Sequence, residues 1–491
     1  MRGHRLARVA VGALALALIG ASAACTTSTD GGSAGGAASP GVTDDAVKVG
    51  FQIVDTGSIG ATQGFAGVNQ GTYEVRAKGV QAIVDYVNQN GGLGGRQIQP
   101  TIKKYDGTQD SPEYAEAECR SFTQDTQVFA VLMEGQFQNN VRPCYRAAST
   151  VMLDQTLVAH DTQEFEQYSP YLWSPTVPEY SSYITSMIDV LKGSGFFNGA
   201  TGVSVVAPDT EVTRRIATNV VLPKLNSLGL TKSATNYIDS SNIGSLGAGA
   251  SAALTATQAA GLNRVMVIGG ARILPVLFAD PAVGDLDAKY TITSFDNPAF
   301  FIDNQNIFFP QRLVGMQGLG YMPALDLRKS TTEVFPDPTR PNEALCKQIV
   351  DNAGAAPPET FRENYRVVMQ FCDSTLALKA AFDKLPKGTP VTGEGFRDAL
   401  WGAGTGWSAA TVPSGGWPAN SYAGVSQGAG MYWNTSCVVP GAPGPGCYLY
   451  GTTSAPLTAA AAPPAGTVTT PAATPAAPTG TGTTTGTTTV P

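Results

Sequence analysis

The residues best suited to chemistry in this chain are short polar runs that each follow an apolar one. After the apolar run 47–54 come Asp55, Thr56, Gly57 and Ser58; after 128–133 come Glu134, Gly135, Gln136, Phe137 and Gln138; after 151–153 come Asp154, Gln155 and Thr156. A second set stands further along: Asp209 and Thr210 after 203–207, Gly270 and Arg272 after 264–268, Phe295 and Asp296 after 290–294. Amides, hydroxyls, single charges and an aromatic ring hold a small molecule by hydrogen bonds and stacking. In open α/β sheets ligands bind at the carboxyl ends of strands. The candidate ligand-binding residues are therefore Ser58, Gln136, Phe137, Gln138, Asp154, Gln155, Asp209, Gly270, Arg272 and Asp296. Arg272 reads either as the counter-charge of an anionic ligand or as a solvated residue opening a helix.

Reaction chemistry lacks raw material. There are two histidines, and His4 lies in the leader described below. Histidine-dependent triads and histidine-rich zinc sites are thus excluded. His160, between Ala159 and Asp161, reads as a surface residue. No phosphate-binding G-x-x-x-x-G-K-[ST], no G-x-G-x-x-G after a strand and no G-x-S-x-G elbow is present. The glycines of 91–96 follow a helix, which makes them a turn. No catalytic residue, metal or cofactor is expected.

The elements that must position the polar runs are legible from periodicity. Val80, Ile83, Val84 and Val87 stand at i, i+3, i+4 and i+7, the buried face of a helix. Asn90-Gly91-Gly92 stop it. Gly94-Gly95 turn the chain into 97–105, where Ile98 and Ile102 mark a strand ending at Asp106. With strand 47–54 upstream this is a βαβ unit, which implies a parallel sheet with helices on its faces. The alternation continues: a helix near 111–124, a strand at 128–134 apolar on both faces, a helix near 139–148 and a strand at 151–154. Beyond these the pattern predicts a helix at 180–191, a strand at 203–207 and a helix at 214–228 that Pro223 must kink or break. A helix at 251–260 and strands at 264–268, 290–294 and 312–315 follow. After a connecting region at 323–339 come helices at 343–352, 359–385 and 393–401, then a hairpin over 431–450.

The ends of the chain set the compartment. Arg2, Arg5 and Arg8 precede an apolar run 9–19 and small residues up to Ala24, the pattern of a cleaved secretory signal. Cys25, directly after Ala-Ser-Ala-Ala, resembles the lipid-accepting cysteine of a bacterial lipobox, with Ser22 where leucine is usual; simple cleavage and secretion is the alternative. Residues 25–44 form a polar Gly/Ser-rich tether. Seven cysteines less Cys25 leave Cys119, Cys144, Cys346, Cys372, Cys437 and Cys447. An even set in an exported chain implies disulfides; the sequence permits every pairing, and the sequential one is expected. Net charge is −7 with 14% charged residues, and no long basic run follows the leader, which excludes nucleic acid as a partner. Residues 452–491 are Thr, Ala, Pro and Gly without a charge, and a disordered tail is expected there.

The string VKVGFQ…TG…G followed by IVDYVNQNGGLGGRQI…YDGTQDSPEYAEAECRSFTQDTQVFAVL resembles the opening of type 1 periplasmic substrate-binding proteins. The branched-chain amino acid receptors of ABC transporters are their best-known members. The likeness is clearest over about residues 46–155 and thinner to roughly 450. It implies two Rossmann-like α/β lobes, each a parallel sheet flanked by helices, hinged around a ligand cleft. The expected order is signal 1–24, tether 25–44, lobe one 45–172, lobe two 173–322, a return to lobe one at 323–402, a closing segment at 403–451 on lobe two, and the tail. Trp173 and Tyr180 fall at the first crossing, as hinge or wall residues. The resemblance also implies a monomer that captures a small-molecule ligand and hands it to a membrane permease; an anchored sensor without a transport role is the alternative. Where the family carries Gly-Pro-x-Ser-Ser in its second loop to hold an α-carboxylate, this chain reads Glu134-Gly-Gln-Phe-Gln-Asn. That departure points away from Leu, Ile or Val and towards another small polar or aromatic compound.

Overall fold

The computed structural model describes residues 39–55, 70–135, 138, 140–270, 273–328, 334–385, 388–404, 407–413, 416–417 and 420–457. The leader, Cys25, Ser58, Gln136, Phe137, Arg272 and the tail from 458 lie outside the described residues. The first sheet is parallel throughout. Its central strand β1 (Ala46–Val54) pairs with β2 (Gln97–Tyr105) on one side and β3 (Ala130–Met133) on the other; β4 (Val151–Asp154) and β5 (Leu172–Trp173) follow. The second sheet comprises β6 (Val203–Pro208), β7 (Ser233–Ile238), β8 (Arg264–Val267), β9 (Lys289–Thr293), β10 (Gln317–Gly320), β11 (Gln427–Asn434) and β12 (Cys447–Pro456). Its order is β7-β6-β8-β9-β10-β11-β12. Both lobes therefore share one winding, second strand, first, third, fourth, fifth, and the second lobe adds an antiparallel hairpin beside β10.

Helix α1 (Tyr73–Gln89) buries the predicted stripe Val80, Ile83, Val84 and Val87, with Thr72 capping its start through the Val75 N–H. The predicted glycine stop holds: Gly92 N–H donates to Val87 O at 2.8 Å with φ 62°. A Cβ at Gly92 would stand 2.1 Å from Arg96 O, so only glycine fits. The other helices used below are α2 (Pro112–Arg120), α3 (Arg142–Ala147), α4 (Thr162–Tyr168), α5 (Tyr180–Gly193), α6 (Glu211–Ile216), α7 (Leu222–Ser227), α8 (Ile243–Ala259), α9 (Pro341–Asn352), α10 (Arg362–Phe382) and α11 (Gly393–Ala403).

Several expectations need correction. The strand expected at 312–315 is a helical turn, Pro310–Leu313, opened by a proline whose missing N–H costs nothing there; β10 begins only after Gly315 turns the chain at φ 83°. Pro223 does not break its helix. The π-helical turn Ala217–Val221 links α6 to α7 and leaves Pro223 in α7's first turn, where no N–H is needed. Helix α8 starts well before residue 251, capped by Asn242, because its Gly/Ala-rich first half carries no apolar stripe. Strand β12 runs past Thr452 to Pro456, so the residues opening the expected tail are paired with β11.

Three segments join the lobes. The first, 174–179, follows Trp173, which is buried among Trp417 at 5.8 Å, Trp401 at 6.1 Å and Tyr422 at 4.7 Å. The second leaves β10 through Tyr321 and the helical turn Pro323–Asp326, and the third runs from α11 to β11. The first and third lie side by side: the Gly424 N–H donates to Ser174 O and the Ser174 N–H to Tyr422 O, each at 2.9 Å.

The disulfides take the sequential pairing. Cys119–Cys144 ties α2 to α3, Cys346–Cys372 ties α9 to α10, and Cys437–Cys447 closes the β11–β12 hairpin. The first two span separations of 25 and 26 residues, for which chain-entropy arguments give about 3 kcal/mol each. Replacing Cys346 and Cys372 together by Ala is expected to lower unfolding stability by about 2–4 kcal/mol, read from the denaturant midpoint. An unchanged midpoint would show that the α9–α10 contact holds without its staple.

Candidate ligand-binding site

In each lobe the winding reverses between the first and third strands, β1/β3 in one and β6/β8 in the other. A crevice at the carboxyl ends follows from that reversal. A cavity of about 200 Å³ lies between the lobes, lined by Gln138, Asn140 and Val158 on one side and Asp209, Thr210 and Gly270 on the other. The lobes touch at its edge. Val158 and Gly270 form a backbone bridge, and Arg215 of α6 grips Asp161 with hydrogen bonds of 2.8 and 2.9 Å. A larger cavity of about 550 Å³ lies between α5 and β10–β12, over Gly318, Gly430 and Gly451. Its one charged lining residue among those described, Asp189, is already paired with Lys224 at 2.7 Å. It sits away from the parallel strands' carboxyl ends, so the interlobe cavity is the better candidate.

The sequence-predicted residues divide by position. Gln138, Asp209 and Gly270 line the cleft. Gln138 donates to Asp110 at 2.9 Å, and Asp209 holds Arg214 through both carboxylate oxygens, at 2.6 and 2.9 Å. Asp154, Gln155 and Asp296 are buried. Asp296 accepts from the Thr293 N–H and hydroxyl at 2.9 and 2.6 Å, and burial pushes its carboxyl up to about 7. Gln155 donates to Gln370 O at 2.7 Å and to Ser374, while its Oε1 has no partner. Tyr180 is a wall residue of the second lobe's core, its hydroxyl accepting from the Gly269 N–H.

Two buried polar clusters stand at the first lobe's strand ends. In the first, Asp154 Oδ2 accepts from Arg142 at 2.6 Å and lies 3.1 Å from His160 Nε2, while His160 Nδ1 lies 2.7 Å from Glu164. Thr156 caps the other Asp154 oxygen through its N–H and hydroxyl, at 2.9 and 2.6 Å. His160 is thus not the surface residue its neighbours suggested: it is 1% exposed, its charge partners arriving from α3, β4 and α4. Burial and the Arg142 charge press its pKa down, but the Asp154 and Glu164 carboxylates overcome them and raise it. Burial presses the Asp154 and Glu164 pKa values up; Arg142 and His160 outweigh it, and both carboxyls end below their usual range.

Of the second cluster, sequence reasoning named Glu134 and Gln155 but missed Arg76, Arg366 and Gln370. Arg76 of α1 is buried where the charges of Glu134, after β3, and Arg366, of α10, act on it; Gln370 and Gln155 are buried alongside Arg366. Arg366 pairs with Glu134 at 3.3 Å and donates to Gln370 at 2.8 Å. Glu134 Oε2, Gln70 Oε1 and Arg76 Nη1 have no partner. A signal existed: Arg76 stands in phase with the stripe Val80–Val87, where an apolar residue belongs.

No family model matches the sequence, and no curated protein does. Solved structures do match in fold. A type 1 periplasmic binding protein from Bordetella pertussis is 12% identical, with a TM-score of 0.54 over 79% of this chain and 97% of its own. A possible leucine/isoleucine/valine-binding protein from Rhodopirellula baltica is 11% identical, TM-score 0.53, covering 83% and 96%. The solute-binding protein of an ABC transporter from Rhodopseudomonas palustris, solved with p-hydroxybenzoic acid, is 14% identical, TM-score 0.53, covering 83% and 97%. The chain has the two-lobed α/β fold of the type 1 periplasmic binding proteins.

The His160 cluster sets a pH dependence. A raised histidine contributes its stability fully below its ordinary value of 6.5 and loses it as pH climbs through the folded value. The lowered Asp154 and Glu164 contribute above the ordinary carboxylate range and lose it as pH falls through their folded values. Thermal stability is therefore expected to peak in mildly acidic solution. His160→Gln should cost about 1–3 kcal/mol there and flatten the decline above pH 6.5. Parallel melting profiles for the two proteins across the alkaline limb would remove His160 from this role.

Proposed function

We propose that this chain is an extracytoplasmic solute-binding protein that captures a small polar molecule between its lobes and delivers it to an ABC importer. The observation that carries this reading is the interlobe cavity, bounded on both sides by strand carboxyl ends and joined through three crossing segments. The named neighbours support it: they are binding proteins, one solved with a hydroxybenzoate, another described as a possible Leu/Ile/Val-binding protein. The ligand class is an amino acid or a related amide or aromatic compound, met by Gln138, Asp209 and Gly270, with Ser58, Gln136, Phe137 and Arg272 proposed as further contacts. Binding proceeds without covalent chemistry. The ligand stabilises the closed form over the open one by its differential affinity, and the closed form is what a permease recognises. In this reading the protein is a monomer held at the outer face of the membrane by lipid on Cys25.

A thermal-shift screen of the purified protein against amino acids, amides, ureas, aromatic acids and short peptides tests it. A compound at a hundred times its Kd adds about 2.7 kcal/mol, a clear rise in melting temperature. Isothermal titration should then give one site per chain, weakened by Asp209→Ala. A flat response across the panel, from protein with a cooperative melt, would count against a solute-binding role.

A further inference from the structure

Arg76 is anomalous among the buried arginines. Arg142 has Asp154, Arg328 has Asp303 and Glu363, and Arg340 and Arg362 share Glu343. Arg264 donates to three backbone carbonyls. Arg76, 1% exposed, has no ion pair among the described residues; its Nε makes one long hydrogen bond of 3.4 Å to Thr72 O, and Nη1 makes none. Arg96 also lacks a carboxylate but donates to Thr43 O at 2.9 Å and precedes β2, at the amino ends of the strands. Arg76 stands at the carboxyl ends, where ligands bind.

The groups facing Arg76 leave an excess of positive charge. Glu134 is the nearest buried anion, and its Oε1 is committed to Arg366 at 3.3 Å. Asp55 is taken by Lys104 at 2.5 Å, and Glu74 is solvent-exposed on the same helical turn. Two buried guanidiniums thus share one buried carboxylate. The amino terminus of α1, a helix of 17 residues, adds its partial positive charge at the same place. Burial lowers the Arg76 pKa against the pull of Glu134 and Asp55. Arginine stays ionised regardless, so the charge has to be met by an anion. At the neighbouring strand end, Gln155 Oε1 is buried without a partner, beside the Gln370 backbone of the helix that carries Arg366.

We infer that Arg76 is the specificity-determining counter-charge for a carboxylate on the ligand. The inference rests on the solute-binding reading above and narrows it to organic anions and zwitterions. The carboxylate takes the free Nη1 of Arg76 at the amino terminus of α1. A donor group on the ligand, an ammonium or a hydroxyl, satisfies Glu134 Oε2 or Gln155 Oε1. A buried charge without a partner is costly to the ligand-free fold, so the site holds strain that the ligand relieves.

The test compares wild type with Arg76→Met, a side chain of similar length without the charge. The probes are matched pairs: benzoate with benzamide, 4-hydroxybenzoate with 4-hydroxybenzamide, leucine with leucinamide. In wild type the responding carboxylate should bind at least tenfold tighter than its amide, and Arg76→Met should abolish that preference. Without any probe, Arg76→Met should melt at the wild-type temperature or several degrees above it, since it removes an unpaired buried charge. If wild type takes only uncharged compounds, the carboxylate inference falls while the cleft reading stands. If wild type responds to no probe, the inference falls together with the solute-binding reading it rests on. A ligand-free Arg76→Met variant that melts several degrees lower makes Arg76 a structural residue and overturns the inference by itself.

Discussion

Helix α10 is buried on every side over Arg362–Thr375, and the rest of the molecule depends on that constraint. A helix in a soluble protein ordinarily turns a polar stripe to water. Here Arg362, Glu363, Arg366, Gln370, Asp373 and Ser374 are all buried, and buried polar atoms need partners within the protein. Those partners come from distant parts of the chain. Glu134 reaches Arg366 from the end of β3, and Gln155 donates to Gln370 from the end of β4. Thr176 of the first crossing accepts from Gln370 at 3.3 Å, and Asp373 accepts from the Thr411 N–H and hydroxyl, at 3.1 and 2.6 Å, on the third. One rigid rod is thus bonded both to the strand ends that form the cleft and to the segments that join the lobes. The crossings and the strand ends are tied to the same helix through buried side chains.

How much of this was legible in the sequence follows from the range of the interactions. The βαβ pattern, the glycine stop at Gly91-Gly92 and the terminal hairpin rest on local backbone preference and on periodicity, and these are written within a few residues. The polar clusters are not. His160 looked exposed because its neighbours in sequence are Ala159 and Asp161, while its partners come from residues 142, 154 and 164. Arg76 was passed over because the stripe on α1 was read for its apolar members alone. The misplaced strand at 312–315 has the same origin. Arg312, Leu313 and Val314 favour a strand less than Pro310 favours opening a helical turn, and Gly315 then resets the register.

The two walls of the cleft are built on different principles. On the second lobe the loops are capped within themselves. Thr210 and Thr213 form a reciprocal cap at the start of α6, Asp209 holds Arg214, and Asp296 closes back on Thr293. Such loops have a fixed shape whether or not anything lies against them. On the first lobe the polar atoms depend on long-range partners, and several are left over: Glu134 Oε2, Gln70 Oε1 and Gln155 Oε1. Discrimination by hydrogen bonding requires unmet groups, and among the described residues of the cleft loops these three stand on the first lobe.

The contact between the lobes joins the two parts. Arg215 of the second lobe holds Asp161, and Asp161 in turn caps α4 by accepting from the Glu164 N–H at 2.9 Å. Glu164 fixes one nitrogen of His160, whose other nitrogen meets Asp154 at the end of β4. The next residue, Gln155, donates to the backbone of α10. Charge-assisted hydrogen bonds therefore lead from the face of the second lobe to Asp154, and its chain neighbour Gln155 carries the connection to the floor of the first. Every member but Arg215 is buried. The Arg215–Asp161 pair is where this run crosses between the lobes, while the contacts among Arg142, Asp154, His160 and Glu164 lie wholly within the first lobe.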